Sequence, residues 1–135
     1  MRNLFRRAAL VAAAALLPAL SNPALAHHSA VTWDLTQRIT IAGTVKVVMF
    51  RNPHGHLELL VAKPDNSSEI WNVETSAMNI LVRRGWKFDQ VHVGDKLTVV
   101  GHPNKTLPLE IYARELHLED GQVFGDPSGK DTALD

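Results

Sequence analysis

The chain has 135 residues, with 14 Lys+Arg against 14 Asp+Glu, seven histidines and no cysteine. That length suits one domain with one core. Lack of cysteine excludes a disulfide framework, a lipid-attachment cysteine, a thiolate metal site and a cysteine nucleophile, and lack of a basic excess argues against a nucleic-acid partner.

Residues 1–26 read as a secretory signal peptide. Arg2, Arg6 and Arg7 form a positive start, Ala8 to Leu20 an apolar stretch, and Ala24-Leu25-Ala26 a small-residue cleavage site. The apolar stretch is too short to span a membrane, which takes about 20 residues, and Pro18 interrupts it. No membrane anchor is therefore expected after cleavage. Cleavage after Ala26 makes His27 the new N-terminus. It also takes Lys+Arg from 14 to 11 while Asp+Glu stays at 14, so the mature chain is mildly acidic. The expected location is the periplasm, with full secretion as the alternative.

Residues 27–37 show little periodicity and read as an arm leading into a domain at residues 38–120. The first strand starts at Arg38. Ile39, Ile41, Val45, Val47 and Met49 share its apolar face, and Gly43 on that face predicts a bulge or sharp coil. Asn52-Pro53 ends it. In the second strand Leu57, Leu59 and Val61 face one way, and His54, His56 and Glu58 the other. Pro64 to Ser68 is a turn. The third strand puts Trp71 and Val73 inward and Asn72 and Glu74 outward.

Ser76 reads as the N-cap of a helix over Ala77 to Arg84, and Gly85 as its left-handed stop. Val93-Gly94-Asp95 turns into a fourth strand, Lys96 to His102. Leu109 to Glu119 is a fifth, with a bulge expected between Ala113 and Leu116, where the apolar phase shifts. Residues 121–135 are polar and read as a flexible tail. Three strands, a short helix and two more strands is the order of an OB-like five-stranded antiparallel β-barrel, an all-β class with one helix.

Short motifs recur along this series: Ala26-His27-His28-Ser29, Gly43-Thr44-Val45, Asn52-Pro53-His54, Trp71 and Glu74, Gly85-Trp86, and Gly94-Asp95. As an ordered set they resemble a family of small exported bacterial proteins catalogued as a domain of unknown function. The resemblance covers the mature chain to about Gly121 and implies export and a small β-barrel-like domain, with no activity attached. The sequence departs from it at Phe50-Arg51, where an aromatic such as Trp is expected before the Asn-Pro-His.

All seven histidines lie after the signal segment. Cleavage would free an α-amino group on His27, and an amine of pKa about 8 gives up its proton readily to a metal. Amine and imidazole nitrogens together favour Cu(II), although zinc also accepts imidazoles. A third nitrogen could come from His54 or His56, which are two apart and so project from one strand face. The candidate metal ligands are therefore His27, His28, His54 and His56. Glu58, Asn72 and Glu74 share the outer hairpin face as surrounding residues, Glu74 falling opposite His56 or Glu58 according to register. His92, His102 and His117 read as structural or surface residues, and Trp33, Trp71 and Trp86 as core or arm-packing residues. Glu58 and Glu74 also resemble an acid/base pair for glycoside hydrolysis. A solvated hairpin face explains them equally, and there is no nucleophile motif or phosphate loop, so no enzyme is expected.

Two functions follow. One is a periplasmic protein that binds copper through its mature N-terminal histidine and strand-two histidines. The other is a metal-free OB-like module that binds an envelope protein, a glycan or a small ligand.

Overall fold

The alternating segments fold as strands in a computed structural model that describes residues 32–87 and 89–125. The strands are β1 (Ile39–Met49), β2 (Gly55–Ala62), β3 (Ser68–Thr75), β4 (Lys96–Pro103), β5 (Glu110–Leu118) and β6 (Val123–Gly125), with helix α1 (Met78–Arg83) between β3 and β4. The sheet order is β3-β2-β1-β4-β5-β6, and a further β3–β5 pairing closes the first five strands into a barrel. The expected OB-like barrel is therefore present, but it is mixed rather than wholly antiparallel. With β2 and β4 both antiparallel to the central β1, β3 and β5 must run the same way. Their closing pairs, Asn72↔Glu110, Val73↔Ile111 and Glu74↔Tyr112, are accordingly parallel.

β1 serves both halves of the barrel. Its first half pairs with β4 and its second with β2. The bulge expected at Gly43 lies instead at Lys46, between the pairs Val45↔Leu59 and Val47↔Glu58. The extra residue reverses the facing of everything after it. Val48 thus packs on the core opposite Leu57, while Met49 sits outside opposite His56. The β4 turn serves the bulge: Val45 N–H donates to the Asp95 carbonyl (2.8 Å) and Gly94 N–H to the Val45 carbonyl (2.9 Å). Gly43 has another role, because a Cβ there would lie 2.7 Å from the Leu60 carbonyl oxygen. The second bulge is where the phase shift placed it. Val100 pairs with Glu115 and Gly101 with Ala113, leaving Arg114 as the extra residue.

Val45, Leu57, Leu59, Val73, Val99 and Ile111 fill the barrel and are fully buried. α1 covers one end with Met78 and Leu81. Ser76 does not cap it. Its hydroxyl shares a 2.9 Å hydrogen bond with the Tyr112 hydroxyl instead, and Asn52 Oδ1 accepts the Met78 N–H at 3.1 Å from across the fold. Gly85, at φ +95°, stops the helix as expected, and Trp86 N–H reaches back to the Leu81 carbonyl (3.0 Å).

The segment expected to be a flexible tail from residue 121 begins with a strand. β6 pairs with β5 through Leu116↔Phe124, and Phe124 meets the Trp86 ring edge-on at 4.8 Å. The rest of that segment, residues 126–135, lies outside the described residues. Phe50, where the motif pattern departs, also meets the Trp86 ring edge-on, at 4.8 Å. Among the described residues no helix is long and apolar enough to cross a membrane.

Candidate functional site

The end of the arm is a packed element. Trp33 pairs with Asn104 by an isolated bridge and is buried, with its ring 5.7 Å from that of Tyr112. Lys105 N–H donates to the Thr32 carbonyl (3.0 Å) and Asp34 N–H to the Pro103 carbonyl (2.9 Å). The buried His102 ring shares a 2.6 Å hydrogen bond through Nδ1 with the Gln37 carbonyl. An Asx-type turn shapes the exit: Asp34 accepts from the Thr36 hydroxyl (2.6 Å) and the Gln37 amide (2.6 Å). These bonds hold the Asp34 carboxyl below its ordinary range.

This anchoring puts Trp33 in the wall of a cavity of about 260 Å³, shared with His56, Asn72, Glu74 and Glu110. Strand register explains the rest of the wall. His56 lies opposite Glu74 and Glu58 opposite Asn72, which settles the two registers the hairpin allowed. The parallel closure sets Glu110 beside Asn72, and Asn104 Nδ2 donates to its carboxylate at 2.9 Å. His54, just before β2, has Nδ1 3.3 Å from Glu74 Oε1. The two are close enough for an ion pair but not aligned for a hydrogen bond, so the buried Nδ1 has no such partner. His56 Nε2 is 4.0 Å from Glu58 Oε1.

The structure thus brings His54, His56, Glu58, Asn72 and Glu74 to one outer face, as the alternation predicted. His27 and His28 lie outside the described residues. Among the described residues no group of three or more His, Asp or Glu side chains is arranged to hold a metal ion. Three members of the region escaped the sequence. Glu110 arrives only through barrel closure, Trp33 only through docking of the arm, and Met49 only through the Lys46 bulge. His92 is exposed near Asp95 (3.6 Å), and His117 is 2.8 Å from Glu115, which also pairs with Arg38.

The cavity wall carries two carboxylates and no lysine or arginine. Burial pushes the Glu74 carboxyl above its ordinary range. His54 pulls it back, Glu110 pushes it further up, and His56 opposes that. A carboxyl raised in the folded state adds stability below its unfolded pKa of about 4.3, and loses it as pH rises through the folded value. Glu74→Gln is therefore expected to flatten this decline. Denaturation curves across acid pH measure it, and parallel curves for variant and parent would refute it.

Three solved structures are similar in fold. The N-terminal domain of PriB from Thermoanaerobacter tencongensis is 20% identical, with TM-score 0.46, and the match covers 62% of this chain and 96% of that one. The mitochondrial single-stranded DNA binding protein Rim1 of S. cerevisiae is 10% identical, with TM-score 0.48 and coverage of 64% and 97%. A small single-stranded DNA-binding protein from Streptomyces coelicolor is 15% identical, with TM-score 0.38 and coverage of 62% and 91%. These neighbours go against the expectation of no nucleic-acid partner. Two of them are single-stranded DNA-binding proteins by name. Net charge is a whole-chain sum, whereas binding depends on local surface, and here Arg83 and Arg84 sit together at the end of α1. None of the curated proteins matches the chain. The ordered motifs do find their family: its model, described as "Family of unknown function (DUF6152)", matches residues 14–108, and the chain belongs to that family.

Proposed function

We propose that this is an exported protein of the cell envelope that binds copper(II) through its processed N-terminus. The amine and imidazole of His27 would close a chelate ring, with His54 or His56 as the third nitrogen and His28 beside them. Nitrogen sets of this kind favour Cu(II) over other divalent ions, zinc included. Glu58, Asn72 and Glu74 would surround the metal, and the paired negative charge of Glu74 and Glu110 favours a cation.

The observation that carries this reading is the position of Trp33, which shares a cavity wall with His56 and Glu74. The arm therefore meets the barrel on the histidine face. From Trp33 back to His27 an extended chain spans up to about 20 Å at about 3.4 Å per residue. Trp33 and His56 line the same cavity of about 260 Å³.

The test compares the mature chain starting at His27 with the same chain carrying one added residue before it. The native start is expected to bind one Cu(II) at least about tenfold more tightly, a difference of about 1.4 kcal/mol. Equal affinities in a competition titration would end the proposal, and equal preference for zinc would end its assignment to copper.

A further inference from the structure

The Lys46 bulge carries Met49 out of the core and onto the histidine face. β1–β2 pairing sets Met49 directly opposite His56, and β2–β3 pairing sets His56 directly opposite Glu74. Directly opposed residues on one sheet face have Cβ atoms about 4.5–5.5 Å apart. A thioether, an imidazole and a carboxylate therefore stand side by side across three strands. His54 shares this face, two residues before His56.

Packing does not account for Met49. The methionine in α1, Met78, is buried in the core, where a flexible side chain fills gaps. Met49 is 40% exposed. An exposed strand position favours β-branched or polar residues over an unbranched thioether. Its sulfur is a soft, uncharged ligand that suits Cu(I) and contributes little to Cu(II) or zinc.

We infer that Met49 and His56, with His54 beside them, form a second ligand set on the barrel that is selective for the cuprous ion. This rests on copper being the protein's metal but not on the processed N-terminus. The two sets share a strand-two histidine, so they are alternatives for one copper ion: Met49 and the histidines for Cu(I), the His27 amine and a histidine for Cu(II). No electron transfer between them is implied.

The test uses the mature chain with its native His27 start. Cu(I) is titrated anaerobically against a chromophoric cuprous chelator, with Ag(I) as a redox-inert stand-in. Met49→Leu keeps the side-chain volume and is expected to weaken both ions by about tenfold or more, leaving Cu(II) affinity and melting temperature unchanged. Ag(I) is expected to move the methyl NMR signal of Met49 and leave that of Met78 in place. The inference is overturned if Met49→Leu binds Cu(I) like the parent, if it loses Cu(I) and Cu(II) equally, or if the Met49 signal does not move. The chain with an added residue before His27 separates the two readings. Retained Cu(I) binding with weakened Cu(II) supports both. Unchanged Cu(II) binding ends only the N-terminal reading, and loss of Cu(I) binding through the extension ends this one.

Discussion

Trp33→Ala is expected to cost about 3–5 kcal/mol of stability, the usual range for truncating a buried tryptophan. The ring is 3% exposed and covers Tyr112, itself 1% exposed. Domains of this size hold only about 5–15 kcal/mol in total, so the variant spends a large share of it. The loss should also reach the arm. The backbone bonds at Thr32 and Asp34 and the His102–Gln37 bond flank Trp33, and without the ring they hold an otherwise exposed segment. Denaturant unfolding measures the change, and a loss under about 1 kcal/mol would show that the arm is not part of the folded unit.

The same variant has an optical signature, because Tyr112 is the chain's one tyrosine. Burial pushes its hydroxyl above the ordinary value of 10.0, while the Ser76 hydrogen bond works the other way. A hydroxyl raised in the folded state contributes stability that is fully present below pH about 10 and lost as pH rises through its folded pKa. Removing Trp33 admits water to the ring and should bring its titration down toward pH about 10, read by phenolate absorbance. Under the proposed function the variant also weakens Cu(II) binding, although His27, His54 and His56 are intact, because the arm no longer starts at the cavity.

Gly101→Ala is expected to cost about 3 kcal/mol or more. A Cβ at Gly101 would lie 2.0 Å from the Tyr112 carbonyl oxygen and 2.8 Å from its carbon. Both are backbone atoms inside the β4–β5 pairing, and Gly101 adjoins the Arg114 bulge. No side chain can turn aside to make room, so the pairing must open where His102 anchors the arm. Thermal unfolding of the variant tests this. A melting temperature within a degree or two of the parent's would mean that the bulge accommodates a methyl group.

The strands were legible because their cause is local. Alternation put Leu57, Leu59 and Val73 inward, and all three are fully buried. It also put His56 and Glu58 on the opposite face, and His54, just before β2, comes to that face beside Glu74. The phase shift between Ala113 and Leu116 marked the Arg114 bulge because an extra residue must break the alternation. In β1 the same signal was silent. The run from Val45 to Phe50 is almost wholly apolar apart from Lys46, so either phase fits it, and only pairing with Leu57 and Leu59 selects Val48 for the core. Ser76 escapes the cap pattern for a related reason: a cap is a local pattern, and the Tyr112 hydroxyl that claims Ser76 lies 36 residues away.

By itself the sequence determined the barrel's strands, the helix stop at Gly85 and the placing of His56 and Glu58 on the outer face, all set by sterics and periodicity within a few residues. The tertiary structure alone decided that Glu110 joins Glu74, that Trp33 brings the arm to that face and that Met49 stands beside His56. Each of these depends on which strand edges meet when the barrel closes. That choice is made by many distant contacts together, and no short stretch of chain records it.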